Sequence, residues 1–122
     1  MPTTILVSGS RHFDNAQYLK SIINEYNFGS SEVHLVHGDC KGLERTFASI
    51  VPKHWIIHTE PAEWSRGKIA GPERNQRMID KYRPNIVLLF PAPDSKGTLD
   101  MKRRVQEYAR KNPCIIMIYP IG

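Results

Sequence analysis

The sequence predicts a three-layer α/β domain, in which a mostly parallel sheet of about five strands is covered by helices on both faces. Three observations carry this. Five short apolar runs recur along the chain, segments with apolar residues at helical spacing lie between them, and each strand-to-helix junction contains glycine. A chain of 122 residues has room for one such domain, residues 1–122, around a single core.

The first run, Ile5-Leu6-Val7, reads as a strand buried on both faces and ends in Ser8-Gly9-Ser10-Arg11. Asp14 is placed to cap a following helix, in which Leu19, Ile22, Ile23 and Tyr26 share one side and which Phe28-Gly29-Ser30-Ser31 closes. Val33 to Val36 is a second strand, leading into His37-Gly38-Asp39-Cys40-Lys41-Gly42. Leu43, Phe47 and Ile50 mark a second helix that Pro52 ends. Trp55-Ile56-Ile57 is a third strand, and Glu60 to Ser65 a turn-rich link.

Gly71-Pro72 signals the start of a third helix, because the N–H that proline lacks is unpaired in a first turn anyway. Lys68, Arg74 and Asn75 lie beside that start, which makes it a candidate anion site as well as a solvated basic helix end. Met78, Ile79 and Tyr82 give the helix its apolar side. Ile86 to Phe90, the most apolar segment, reads as a central strand and runs into Pro91 to Gly97. Thr98 is placed to cap a last helix lined by Met101, Val105 and Tyr108, and Cys114 to Tyr119 forms the last strand.

In a parallel sheet all four strand-to-helix loops emerge at the carboxyl edge, where open α/β sheets bind ligands. Each of these loops, at 8–14, 37–42, 60–71 and 91–98, holds glycine and at least one basic residue. Gly9, Gly38, Gly42, Gly71 and Gly97 allow backbone N–H groups close to a phosphate, or only permit tight turns. Ser10, Arg11, Lys68, Arg74, Asn75 and Thr98 are the side chains placed to contact an anion. Trp64 either stacks on a base or closes over the core.

Composition narrows the partners. The net charge is +5, and residues 66–83 and 96–111 each hold six Lys or Arg against two acids. That pattern suits a phosphorylated small molecule, a nucleic acid, or two solvated helices with the row Lys102-Arg103-Arg104 on one of them. No run is long enough to span a membrane and no secretory leader is visible, so a cytoplasmic location is expected. Two separated cysteines, Cys40 and Cys114, and five histidines without ligand spacing lead us to expect no metal, disulfide or cofactor. Neither Gly-x-Gly-x-x-Gly, Gly-x-x-x-x-Gly-Lys-Ser/Thr nor Gly-x-Ser-x-Gly occurs, which argues against a nicotinamide enzyme, a P-loop ATPase and an α/β-hydrolase.

The order Gly9-Ser10-Arg11-x-Phe13, His37-Gly38-x-x-x-Gly42, Pro61-Ala62-x-Trp64, Gly67-Lys68-x-Ala70-Gly71-Pro72-x-Arg74-Asn75-x-x-Met78 and Gly97-Thr98-x-Asp100-Met101 resembles the YspA-like branch of the SLOG superfamily. The resemblance covers nearly the full chain and implies a modified Rossmann fold that binds a nucleotide or nucleotide-derived ligand, as sensor or processing protein. It also implies kinship with the LOG phosphoribohydrolases, often misnamed lysine decarboxylases, and with the DNA-processing protein DprA. LOG relatives are commonly dimers, which makes a homodimer an expected partner state.

Two departures bear on chemistry. Gly42-Leu43-Glu44 stands where YspA-like proteins have Gly-x-Asp, and Met101 stands at the position of the LOG glutamate. Arg74 matches the LOG arginine that approaches the phosphoribosyl group. Breaking an N-glycosidic bond builds positive charge on the ribose and calls for a carboxylate, which methionine cannot supply. Asp100 and Glu44 are the candidates to replace it, with Arg74 positioning the phosphate, although Asp100 points about a hundred degrees away from Met101 around a helix. The sequence thus supports nucleotide binding first, a LOG-type nucleoside monophosphate phosphoribohydrolase second, and a DprA-like single-stranded nucleic-acid binder third.

Overall fold

The computed structural model describes residues 2–26, 32–93 and 95–121. Five strands, β1 (Thr3–Gly9), β2 (Val33–His37), β3 (Ile56–Thr59), β4 (Ile86–Phe90) and β5 (Ile115–Ile118), form one sheet in the order β3-β2-β1-β4-β5. Every neighbouring pair is parallel. Four helices connect them: α1 (Ala16–Glu25), α2 (Leu43–Ile50), α3 (Ala70–Tyr82) and α4 (Lys96–Ala109). A 3-10 segment, Trp64–Ile69, leads into α3.

Strand side chains alternate between two cores. Ile5, Val7, Leu35, Leu88 and Phe90 pack with Leu19, Ile22 and Ile23 of α1 and Leu43 and Phe47 of α2. Leu6, Val36, Val87 and Leu89 pack on the other face with Met78 and Ile79 of α3 and Met101 and Val105 of α4. This is the expected three-layer domain. β1 holds the middle of the sheet, with the apolar β4 beside it.

Several boundaries differ from expectation. The N-cap of α1 is Asn15, whose side chain accepts the Tyr18 N–H, and not Asp14. Both residue types cap well, so the choice rests on where the β1 loop turns. The closing stretch of α1 at 28–31 lies outside the described residues. Trp55 precedes β3, because its N–H bonds to the Pro52 carbonyl in a turn while its ring enters the core. α3 begins at Ala70, two residues before Pro72, because the part of the 3-10 segment that follows its kink at Gly67 (φ +78°) leads directly into it. α4 begins at Lys96 with Ser95 at the cap position, so Thr98 lies within its first turn and does not cap it.

Candidate functional site

Strand order reverses between β1 and β4, and their loops diverge at the carboxyl edge to leave a crevice. A cavity of about 500 Å³ opens there. Its walls come from Ser8 to His12 at the end of β1 and in its loop, from Cys40 and Glu44 at α2, from Trp64, Lys68, Gly71, Pro72, Arg74 and Asn75 around the start of α3, and from Ser95 to Thr98 and Asp100 at the start of α4. Of the expected site residues, only Gly38 and Gly42 are not on its wall.

Their roles divide sharply. Arg74 is only 6% exposed and its guanidinium faces the protein. Its Nη1 donates to the Gly38 carbonyl at 2.8 Å and more distantly to the Glu60 carbonyl, its Nε donates to Asn75 Oδ1 at 3.1 Å, and its Nη2 reaches Cys40 Sγ at 3.7 Å. Asn75 then donates from Nδ2 to the Gly97 carbonyl at 3.1 Å and to Asp100 Oδ2 at 3.0 Å. The two neighbours therefore tie α3 to the β2 loop on one side and to the first turn of α4 on the other. Ala70 donates its N–H to the Gly67 carbonyl and Pro72 has none, so the start of α3 offers fewer free donors than a helix beginning at Pro72.

Three glycines serve this scaffold. A Cβ on Gly38 would sit 2.1 Å from Arg74 Nη1, so the arginine reaches its carbonyl only because the residue is glycine. Gly42 has φ of +79°, and a Cβ there would meet the Arg11 carbonyl at 2.3 Å. A Cβ on Gly9 would press on the Leu43 side chain at 2.7 Å. Ser10 is a turn residue: its Oγ accepts the His12 N–H and its carbonyl accepts the N–H groups of Phe13 and Leu43.

The groups left for a ligand stand elsewhere on the wall. Arg11, Lys68 and Lys96 are exposed and make no ion pair among the described residues. At α4, Ser95 makes no side-chain cap, since its Oγ accepts the Ala92 N–H instead. Within the helix the amides of Lys96, Gly97 and Thr98 have no carbonyl acceptor, and no side chain among the described residues caps them. A Cβ on Gly97 would meet nothing within 4 Å, so this turn is open to a close approach.

The titratable groups define the available chemistry. Glu44 is buried, its Oε1 accepting the Gly38 N–H at 2.6 Å, and burial pushes its pKa up against the opposing charge of Arg74. Burial likewise raises Cys40, with Glu44 adding to it, so Cys40 is a thiol and no ready nucleophile. Burial lowers His37, whose Nδ1 accepts the Asp39 N–H and is therefore unprotonated. At Asp100 burial favours the neutral acid, but hydrogen bonds from Arg104 and Asn75 and the Arg103 and Arg104 charges outweigh it and hold the pKa below its ordinary value. Among the described residues no three His, Cys, Asp or Glu side chains are arranged to hold a metal ion.

Met101 is fully buried in the core with Val105, while Asp100, one residue earlier, lies on the cavity wall. The carboxylate of this turn is thus Asp100. Arg103 and Arg104 bond to it, which accounts for two of the three basic residues of that row within α4 itself. The sequence reading missed the uncapped start of α4, which the Pro-rich approach to Ser95 hides, and the link from Arg74 to Cys40.

No helix among the described residues is long and apolar enough to cross a membrane. Comparisons with protein-family models, curated proteins and solved structures gave no match.

Proposed function

We propose that the cavity binds a nucleotide or nucleotide-derived ligand of the AMP or ADP-ribose type, as the SLOG-like order of its loops implies. The observation that carries this reading is the first turn of α4, which no side chain among the described residues caps, with open space at Gly97 and three cations, Arg11, Lys68 and Lys96, that make no ion pair among the described residues, at the switch point of a parallel sheet. A cavity of about 500 Å³ suits a small organic ligand. Phosphate affinity rests on α4, Lys96, Lys68 and Arg11, with Arg74 behind them as scaffold.

Thermal unfolding with AMP, ADP-ribose, NAD and cyclic dinucleotides tests it. A ligand at a hundredfold its Kd stabilises by about 2.7 kcal/mol, a readily measured shift. Lys96→Glu should abolish that shift without lowering the unliganded protein's melting temperature, since an acid suits the first turn of a helix. No shift with any of the four counts against the reading.

A second reading, nucleoside monophosphate hydrolysis, draws on the two carboxyl groups of the cavity wall, whose pKa values are pushed in opposite directions. Glu44 would protonate the departing base and Asp100 would face the positive charge developing on the ribose. Release of free base from AMP, followed by chromatography, tests it with Glu44→Gln and Asp100→Asn.

A further inference from the structure

We infer that Trp64 is the platform on which the ligand's base stacks, so that the site selects for an aromatic base and not for a sugar phosphate alone. This rests on the nucleotide reading above and adds to it the means of recognising the base. Trp64 opens the 3-10 segment Trp64–Ile69, in which no residue is buried. It is 61% exposed, the most exposed of the large apolar side chains among the described residues, whereas Trp55 is 8% exposed and belongs to the core.

A scattered exposed aromatic would call for no explanation, but this one lines the cavity. Its ring leans on the first turn of α3 through one edge: a Cβ on Gly71 would lie 3.6 Å from Cη2 and 3.9 Å from Cζ3, an ordinary contact. Packing therefore touches the ring at its rim, and the position contributes little to the core. The start of α4, with Lys96, lies on another wall, while Lys68 shares the segment of Trp64 and Arg11 follows β1, which places an aromatic surface and an anion site in one cavity. A nucleotide has that bipartite chemistry. Stacking accepts any base through its π-face, and a purine offers the larger one.

Because Trp64 buries little, Trp64→Leu can be made in the folded protein, with its melting temperature as the check. Calorimetric titration of wild type, Trp64→Leu and Trp64→Phe with AMP, ADP-ribose and ribose 5-phosphate separates the contributions. Wild type should bind AMP or ADP-ribose about tenfold or more tightly than ribose 5-phosphate. Trp64→Leu should remove that advantage, Trp64→Phe should restore most of it, and ribose 5-phosphate should bind all three proteins alike. If the nucleotides bind wild type and Trp64→Leu equally, or if ribose 5-phosphate weakens as much as they do, the platform is refuted while nucleotide binding stands. If none of the three binds wild type, the nucleotide reading fails and the platform fails with it.

Discussion

Arg74→Met separates the two roles open to this arginine. Methionine keeps the stem and its contacts while removing the charge and every donor. Two well-placed charge-assisted bonds disappear, to the Gly38 carbonyl at 2.8 Å and to Asn75 Oδ1 at 3.1 Å, with two weaker contacts at 3.4 and 3.7 Å. At the low end of about 1.5–3 kcal/mol each, the two good bonds account for roughly 3 kcal/mol. Glu44 also loses its nearest opposing charge, but its already raised pKa lets it protonate, which limits that part of the cost. We expect a loss of about 3–4 kcal/mol and, for a chain of this size, a melting temperature lower by about 10–15 °C. Urea and thermal denaturation at neutral pH measure it. Arg74→Lys should recover only part, since an ammonium cannot bridge Gly38 and Asn75 as a guanidinium does. If Arg74→Met melts with the wild type yet no longer binds AMP or ADP-ribose, the scaffold role is wrong and the arginine grips the ligand directly.

Gly97→Ala should leave the unliganded fold intact or stabilise it by up to about 0.5–1 kcal/mol, since alanine favours the helix, while weakening nucleotide binding by filling open cavity space; melting curves with and without AMP read both. Gly38→Ala should destabilise by about 2–3 kcal/mol in urea denaturation, because its Cβ would overlap the Arg74 guanidinium. Stability should fall as pH drops through about 6.5 towards the lower folded values of His37 and His58, because the unfolded chain binds those protons first. His58→Gln should flatten this decline. Glu44 acts oppositely: its folded pKa is raised, so its contribution is full below about 4.5 and lost as pH rises through the folded value, and Glu44→Gln should steepen the acid-side decline in stability measured by urea titration across pH.

The layers and most element boundaries were legible because periodicity reports burial directly. Ile5 to Val7 and Ile86 to Phe90 are apolar on both faces, and strands between two helical layers must be. The strand order was not legible, since local pattern is silent on which way a crossover turns. Arg74 shows a signal that was present but outweighed. It lies four residues after Ala70 and four before Met78, on the buried stripe of α3, so helical spacing alone placed it inward. Its charge suggested the opposite, and the unspecified element was the acceptor set: Gly38, Cys40 and Asn75 become its partners only through tertiary contact. Trp64 is the converse, an aromatic whose place at the cavity mouth depends on a 3-10 segment that spacing did not forecast.

The same stripe argument bears on catalysis. Thr98, Met101 and Val105 follow one another at three and four residues and are the buried residues of α4, so Met101, which the resemblance proposes for the position of the LOG glutamate, faces the core and a carboxylate there would be buried in it. Asp100 reaches the cavity because it precedes that stripe by one residue. Its charge is shared among Arg103, Arg104 and Asn75, which makes it a weak base, fit under the hydrolytic reading only for the electrostatic part of glycosidic cleavage. On the same reading the proton would come from Glu44, the acid whose pKa is raised. Glu44→Gln keeps an acceptor for the Gly38 N–H and removes the acidic proton, so under the hydrolytic reading it should bind AMP normally and release no base. Hydrolysis undiminished in Glu44→Gln would refute this assignment, whereas binding without turnover in the wild type would leave the cavity as a receptor.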